Sequence, residues 1–281
     1  MSLQTIGVLH PGAMGVTVGA SIRAGGHRVM WASEGRSTAT IERASTAGLE
    51  DISSLETLFK ASDVIISVCP PHAAIDVAQE VIKIGFDGIY VDVNAVSPAT
   101  ARKIMKIVLT SKAQYVDGGI IGPPALEPGW TRLYLSGQRA DEIKLLFDRG
   151  NMDAIVIGKE PGAASALKMC YAAWTKGSSA MLLAIRALAE AEGVTEALLK
   201  EWSISQPGLE ARSEGAAANT APKAWRFVGE MEEIAATFKE VSLPNQFHLG
   251  AADLYKRLSG FKDKAGSVQL SDVLQKLNRK D

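Results

Sequence analysis

The 281-residue sequence is poor in the residues that mark several common protein classes. It has two cysteines and four histidines, and Cys69 and Cys170 stand far apart in apolar surroundings, so neither a disulfide framework nor a zinc site is predicted. Lys and Arg together number 30 against 31 Asp and Glu, and the charges are evenly scattered, which leaves no basic stripe. We therefore expect no metal and no nucleic-acid partner.

A long uncharged hydrophobic run is also lacking. The most apolar long stretch, residues 162–193, is interrupted by charged residues and is not expected to cross a membrane. A secretory signal would place basic residues before an apolar run, whereas here a strand-like run, Thr5 to Leu9, begins almost at once. We therefore expect a cytoplasmic protein with no membrane partner.

Apolar residues are abundant, at 47% of the chain, which is enough for a large core and, at this length, for two domains. Up to residue 160, short β-rich runs alternate with amphipathic helical segments, which predicts βαβ units and a mostly parallel sheet. The strand candidates are 5–9, 28–32, 64–68, 89–93, 114–117, 132–136 and 154–157. Residues 1–160 are therefore predicted to form a doubly wound Rossmann-type α/β domain.

Strand signals stop after Gly162, where Ala, Leu, Glu and Lys dominate. Residues 161–281 are predicted to form an all-α domain that serves substrate binding and dimerisation. Within 162–193, large apolar residues recur at three-, four- and seven-residue intervals, which predicts one long buried helix. These residues are Leu167, Tyr171, Trp174, Met181, Ile185 and Leu188.

A glycine-containing turn follows the first predicted strand. It reads His10-Pro11-Gly12-Ala13-Met14-Gly15 and opens an amphipathic segment. Free N–H groups at a helix start attract phosphate, and glycines let a pyrophosphate approach closely. Gly12 and Gly15 take the second and third glycine positions of the dinucleotide-binding pattern, whereas His10 replaces the first. The turn predicts a dinucleotide site, with an ordinary strand-to-helix turn as the alternative.

The residues after the second predicted strand indicate which dinucleotide is bound. NAD-binding domains place an acidic residue there to accept the ribose hydroxyls, whereas this chain has Ser33, followed by Glu34, Arg36 and Ser37. A guanidinium beside two hydroxyls suits a 2′-phosphate. NADP(H) is therefore favoured over NAD(H). Glu34 keeps NAD(H) open, and a solvated Arg36 is the alternative.

Four ordered segments now support a family resemblance, which covers nearly the whole chain. They are Gly12 to Gly15, Asp63 to Pro70, Asp92 to Pro98, and Gly162 to Tyr171 around Lys168. With them the chain resembles the β-hydroxyacid dehydrogenase superfamily, which includes 3-hydroxyisobutyrate and 6-phosphogluconate dehydrogenases. Within it, the chain resembles the branch whose helical C-terminal domain was catalogued as being of unknown function.

The resemblance implies roles for individual residues. The implied cofactor contacts are Gly12, Ala13, Met14 and Gly15 at the phosphates, and Val68, Cys69 and Pro70 on the ribose and nicotinamide side. Asn94 would lie beside the nicotinamide and the substrate. Lys168 matches the family's catalytic lysine, a general acid and base on the substrate hydroxyl.

The surroundings of Lys168 in the sequence support this role independently. Flanked by Leu167 and Met169 on an apolar helix, Lys168 should be desolvated, which would lower its pKa toward the range useful for proton transfer. The alternative is a lysine that extends its ammonium group to solvent at the domain seam. For Lys176, on the same face, that alternative is favoured.

Several polar residues of the familiar substrate site are missing. Ala95, Ile121 and Ala172 stand where familiar members carry side chains that hold a carboxylate or hydroxyl. The predicted substrate-binding residues are Asn94, Ala95, Gly122, Pro123, Tyr171 and Trp174. The two aromatics suggest a bulkier, partly aromatic substrate, or are simply core residues.

These observations predict an NADP-dependent dehydrogenase or reductase that acts on a small molecule, a β-hydroxy acid or related carbonyl compound. One alternative is an imine reductase, although relatives with that activity usually lack a lysine here. The other is a catalytically silent NADPH-binding regulatory protein. A long apolar helix with few charges also predicts a homodimer.

Overall fold

The computed structural model describes residues 3–262, 264 and 266–279. The chain divides into two compact units, Met1–Met169 and Cys170–Asp281. Within the predicted domains, residues 1, 2, 263, 265, 280 and 281 lie outside the described residues.

Eight strands of the described chain form one sheet in the first unit. In chain order they are β1 (Thr5–Leu9), β2 (Arg28–Trp31), β3 (Glu50–Asp51), β4 (Val64–Ser67), β5 (Ile89–Asp92), β6 (Gln114–Ile121), β7 (Thr131–Ser136) and β8 (Met152–Gly158). The order across the sheet is β3-β2-β1-β4-β5-β6-β7-β8. The strand order reverses between β1 and β4, which is where doubly wound sheets open a crevice for a ligand. The predicted Rossmann-type fold is confirmed.

Helices link these strands. They are α1 (Gly15–Ala24), α2 (Thr38–Thr46), α3 (Leu55–Ala61), α4 (Ala74–Lys83), α5 (Pro98–Val108) and α6 (Ala140–Leu145). Ser54 and Ser97 cap α3 and α5 by accepting a hydrogen bond from the backbone N–H three residues later. Pro98 takes the first helical position of α5, where its missing N–H costs nothing.

The central strands are buried on both faces, which explains their nearly continuous apolar sequences. Every residue of β4 and β5 is buried. One face packs Val18 and Ile22 of α1 against the sheet, and the other face packs Val81 of α4 and Ile104 of α5. Both layers fix the carboxyl ends of β1, β4 and β5 at one edge.

The structure departs from the expected simple alternation at four elements. β6 continues to Ile121, four residues beyond its predicted end, and pairs antiparallel with β7. The two-residue strand β3 and the short helices α2 and α6 were not predicted. Each of these three elements has nine residues or fewer, and elements this short depend on tertiary contacts for their stability.

The second half is helical, as predicted. Its helices are α7 (Ala163–Ala191), which begins in the first unit, and α8 (Thr195–Ser205), α9 (Leu209–Thr220), α10 (Ala224–Glu240), α11 (Gln246–Arg257) and α12 (Leu270–Asn278). In the described residues, no helix is both long and apolar enough to span a membrane.

The face of α7 that was expected to be buried is a correction to the sequence prediction. Trp174, Met181 and Leu188 are 65%, 53% and 62% exposed in the single chain. The buried residues of the helix are instead small residues together with Met169, Leu182, Leu183 and Arg186. Helical spacing gives the period of an apolar face, but it does not say whether the chain itself covers that face.

Candidate functional site

The turn after β1 closes tightly around the carbonyl of His10. The Gly12 N–H donates to that oxygen at 2.7 Å, and a Cβ added to Gly15 would lie 2.5 Å from it. Gly15 must therefore be glycine, whereas Gly12 has open space. Met14 occupies the N-cap of α1 without a side-chain cap, and the N–H groups of Val16 and Thr17 donate to the carbonyls of Gly12 and Met14. Ala13, between the glycines, is exposed.

His10 adopts a left-handed backbone conformation, with φ at 63°. Its imidazole lies close enough to Arg36 to feel the guanidinium charge: burial first, and then Arg36, lower the pKa of His10 to about 4. The ring is therefore neutral at pH 7. His10 Nδ1 and Arg36 Nε are both inaccessible to solvent and have no hydrogen-bond partner among the described residues.

The loop from Ser33 to Ser37 is held by backbone hydrogen bonds. The Ser33 N–H donates to a carboxylate oxygen of Asp51, at the end of β3, and the Arg36 N–H donates to the Ser33 carbonyl. Ser37 is the N-cap of α2, and its hydroxyl shares a 3.1 Å hydrogen bond with that of Thr40. Arg36 is part-buried and Ser37 is exposed. The loop thus brings Arg36 to His10 and leaves Ser37 open to solvent.

Asn94 ties together the ends of β4 and β5. Its Oδ1 accepts from the Cys69 N–H at 2.5 Å, and its Nδ2 donates to the Ser67 hydroxyl at 3.1 Å. Its own N–H donates to Asp92. The Asn94 side chain is buried, so its first role is to shape the crevice rather than to reach into it. The segment that it holds, Val68 to Pro70, lines the same edge of the sheet as the glycine turn, because β4 pairs with β1.

Cys69 is unsuited to act as a nucleophile. Burial, with the nearby Asp92 adding to it, raises the pKa of the Cys69 thiol to about 12, so the thiol stays protonated at neutral pH. Cys170 is exposed. Among the described residues, no group of three His, Cys, Asp or Glu side chains is placed to hold a metal ion.

The start of α7, which carries Lys168, is fastened to the sheet by Asp117 of β6. This buried carboxylate accepts from the N–H groups of Gly162 and Ser165 at 2.9 and 3.0 Å, and from the Ser165 hydroxyl at 2.6 Å. It also accepts from the Ser136 hydroxyl of β7, at 2.9 Å. A negative charge at a helix N-terminus is favourable, and here it satisfies donors that would otherwise be unpaired.

Lys168 lies directly over Gly119 of β6. A Cβ added to Gly119 would meet the Ala164 carbonyl at 2.7 Å and the Lys168 Cβ at 3.0 Å, so only glycine lets the helix approach this closely. The register pairs Asp92 with Asp117, and Asn94 and Gly119 each follow two residues later. Lys168, which is part-buried, therefore stands at the carboxyl ends of adjacent strands, beside the segment that contains Asn94.

The remaining predicted substrate residues of the first unit lie on the same strand ends. Ala95 follows Asn94 and is part-buried. Gly122 directly follows β6 with φ at 127°, and a Cβ there would collide with the Trp130 carbonyl. Pro123 is exposed, and its carbonyl accepts from the Thr131 hydroxyl. The turn after β6 thus presents backbone rather than polar side chains.

Tyr171 and Trp174 belong to the helical unit, and both are exposed, which contradicts the core alternative. The Arg212 guanidinium lies over the Trp174 ring, 5.3 Å from its centroid. On the same helix, Lys176 does not extend to solvent as expected. It forms a 2.8 Å ion pair with Glu230, and both side chains are only 14% exposed. Sequence offers no signal for this pair, because its members are far apart in the chain.

The turn and the loop fit a nicotinamide dinucleotide. The helix start lacks a side-chain cap, Gly15 admits no side chain, and the buried Nε of Arg36 and Nδ1 of His10 lack protein partners in the described chain. A phosphate-bearing ligand supplies the acceptors that such donors require. The residues present therefore match the chemistry of the group that the fold implies.

Two family models match the chain. The NAD-binding domain of 6-phosphogluconate dehydrogenase matches residues 5–137, and a domain of unknown function, DUF1932, matches residues 189–258. The first match contains the glycine turn, Arg36 and Asn94. The second lies within the helical half.

A curated relative from Methanothermus fervidus, an uncharacterised 28.5 kDa protein encoded in the 5′ region of 7S RNA, is 36% identical over 167 residues. That match covers 59% of this chain and 64% of the relative, so it spans less than two thirds of the relative's length.

Solved structures extend the likeness over nearly the whole chain. A conserved protein of unknown function, described as structurally similar to 3-hydroxyacid dehydrogenases, is 30% identical, with 92% of this chain and 98% of that chain covered and a TM-score of 0.68. A 3-hydroxyisobutyrate dehydrogenase from Mycobacterium tuberculosis shares the fold at 16% identity, with 99% and 100% covered and a TM-score of 0.69. The chain therefore belongs to the β-hydroxyacid dehydrogenase superfamily.

Proposed function

We propose that the protein transfers a hydride between NADP(H) and a small β-hydroxy acid or related carbonyl compound. The observation that carries the proposal is that one sheet edge holds an uncapped glycine turn, the buried Asn94 and, on a helix clamped to the sheet, Lys168. Bound there, the nicotinamide supplies or accepts the hydride. What remains for the protein is to position the substrate and to move one proton.

NADP(H) rather than NAD(H) is supported by the loop after β2. Arg36 has a buried Nε without a hydrogen-bond partner among the described residues, and Asp51 at the end of β3 already accepts from the backbone N–H groups of Ser33 and Ser53. A carboxylate used in this way is a poor acceptor for ribose hydroxyls. A 2′-phosphate, in contrast, gains a charge-assisted hydrogen bond from the guanidinium.

Lys168 is proposed to hold the proton that moves to or from the substrate oxygen. Its ammonium Nζ donates to the developing alkoxide in reduction, and the neutral amine accepts the hydroxyl proton in oxidation. Asp117 and Gly119 fix the helix that carries it, so the proton reaches a defined position. A lysine at this point favours a C–O bond over the C=N bond that an imine reductase would reduce. Imine reductases share the fold with a TM-score of 0.54.

The substrate contacts of the first unit are proposed at Asn94, Ala95, Gly122 and Pro123, where backbone groups replace the missing polar side chains. Backbone N–H groups in a tight turn can bind a carboxylate without a charged side chain. This arrangement suits a substrate with one anionic group.

We also propose that the protein is a homodimer. Trp174, Met181 and Leu188 recur every seven residues, and all are exposed in the single chain. Seven-residue spacing of large apolar side chains is typical of a helix that pairs with another helix. A second copy presents the same face, and a two-fold axis would let both faces be covered at once.

The test is turnover of a panel of hydroxy acids, carbonyl compounds and imines with NADPH and NADH. Lys168→Met should lower kcat by about 10²- to 10⁴-fold while leaving NADPH binding within a factor of two. Lys159→Met, at an exposed lysine just before α7, is the matched control and should not change kcat. Unchanged turnover in Lys168→Met would contradict the mechanism. Tight NADPH binding without turnover on any compound would favour a regulatory protein.

A further inference from the structure

His10 is strained where the usual dinucleotide-binding turn is not. Among the described residues, the non-glycine positions with positive φ are His10, Ser53 and Ser242. The dinucleotide-binding pattern has glycine at the position of His10, because glycine adopts this conformation without cost. Residues with a strained backbone conformation cluster at ligand sites, where the residue itself has a role. An imidazole at this point therefore calls for an explanation that the backbone does not supply.

One nitrogen of the imidazole also lacks a partner among the described residues. Its Nδ1 is shielded from solvent without a hydrogen-bond partner in the described part of the chain, and the same holds for Nε of Arg36. Buried polar atoms are nearly always paired, so each exception points to a missing partner. Two of these exceptions follow the hydrogen-bonded neighbours β1 and β2 and are close enough for the Arg36 charge to act on the ring, which indicates one shared partner.

The shared partner must be an acceptor with several oxygens. Arg36 is always charged and only donates, while a neutral imidazole donates from one nitrogen. A phosphate monoester carries close to two negative charges and three acceptor oxygens, enough for both side chains together. A ribose hydroxyl pair offers no charge to the guanidinium. The positions of the two side chains also agree with a shared partner, because His10 directly follows β1 and Arg36 follows the neighbouring strand β2.

We propose that His10 is a cofactor-selecting residue that binds the 2′-phosphate of NADP(H) together with Arg36. This inference rests on the proposed function and assigns a residue that the glycine pattern would count as a defect. It explains why the turn keeps an imidazole in a conformation that glycine adopts more easily. It also makes selectivity for the phosphorylated cofactor a joint property of two loops rather than of Arg36 alone.

The first variant, His10→Gly, introduces the glycine that the dinucleotide-binding pattern has at this position. In His10→Gly the strain is removed and the imidazole is lost, so the variant should fold, with a Tm equal to or above that of the wild type. Fluorescence titration should show the Kd for NADPH rising about 10-fold or more, the size expected for one hydrogen bond to a charged group, while the Kd for NADH changes less than twofold. His10→Asn tolerates the same backbone conformation and keeps a donor, and it should retain part of the NADPH affinity.

Ser242→Gly is the matched control. Ser242 has φ at 59° in the helical unit, so the substitution relieves the same kind of strain far along the chain from the turn. It should leave both dissociation constants unchanged. Without this control, a change in His10→Gly could be ascribed to a more flexible backbone.

The outcomes separate the inference from the proposed function. An equal loss of NADPH and NADH affinity in His10→Gly would show that His10 only shapes the turn, and unchanged NADPH affinity would show that it binds nothing; either result overturns the inference. If the wild type binds NADPH selectively and Arg36→Ala abolishes that selectivity, the proposed cofactor stands in both cases. If the wild type prefers NADH or binds neither dinucleotide, the proposed cofactor falls together with the role of His10.

Discussion

The two ends of helix α7 are stabilised in opposite ways. Its first turn is held by buried polar contacts, with four hydrogen bonds converging on the Asp117 carboxylate. Its continuation in the helical unit instead exposes large apolar side chains, among them Trp174 and Leu188. Hydrogen bonds have fixed lengths and directions and therefore set a position, whereas apolar contact is non-directional and rewards covered area. The helix thus has a fixed N-terminal end, which carries Lys168, and an exposed apolar face, which is formed by Trp174, Met181 and Leu188.

Removal of the Asp117 carboxylate should have the largest effect on the first turn of α7. Asp117→Ala leaves the N–H groups of Gly162 and Ser165 and two hydroxyls without their acceptor. It should lower the free energy of unfolding of the first unit by about 3–5 kcal/mol. The first turn of α7 should also exchange its amide hydrogens faster, as measured by hydrogen–deuterium exchange.

Asp148→Ala, at an exposed aspartate of the same unit, is the control and should change stability by less than about 0.5 kcal/mol. Should Asp117→Ala fail to fold, Asp117→Asn keeps one acceptor oxygen and allows the same exchange measurement. Unchanged protection at Gly162 and Ser165 in the Asn variant would contradict the anchoring role.

A smaller effect should come from placing a charged side chain on the exposed apolar face of α7. Trp174→Glu places a carboxylate at the proposed dimer contact and should weaken self-association at least 100-fold, equivalent to about 2.7 kcal/mol. Light scattering at micromolar concentration should then give the mass of a monomer. The helical fold should persist, because Trp174 is mostly exposed in the single chain.

Ile204→Glu provides the matched charge change, since Ile204 is exposed on α8 and outside the proposed contact. It should leave the dimer intact. A wild type that is monomeric at high concentration, or a Trp174→Glu variant that stays dimeric, would show that α7 does not pair with a second copy.

The sheet and the long helix could be read from the sequence because their patterns are local. Alternating β-rich and amphipathic segments give a parallel sheet, and three- to four-residue spacing gives α7. The antiparallel pairing of β6 with β7 could not be predicted from the sequence. It depends on the turn at Gly122, where a Cβ would collide with the Trp130 carbonyl. Which face of α7 is buried was also beyond the pattern.

The residues of the candidate site also differ in whether the sequence alone could predict their roles. Glycines in the turn and a lysine on an apolar helix are visible as residue types, so Gly15 and Lys168 could be proposed directly. Asp117 was missed because a lone acid in a strand gives no sign that it will accept hydrogen bonds from a helix 45 residues later. His10 was noticed only as a departure from a pattern, and its proximity to Arg36 required the fold.

Binding of the phosphorylated cofactor at this sheet edge can be tested by the ratio of the dissociation constants for NADH and NADPH. Fluorescence titration gives both constants for the wild type and for Arg36→Ala. We predict that the wild type binds NADPH at least 10-fold more tightly than NADH, because the 2′-phosphate gains charge-assisted hydrogen bonds, and that the ratio falls toward one in the variant. Equal affinities in the wild type, or a ratio unchanged by the substitution, would contradict the account.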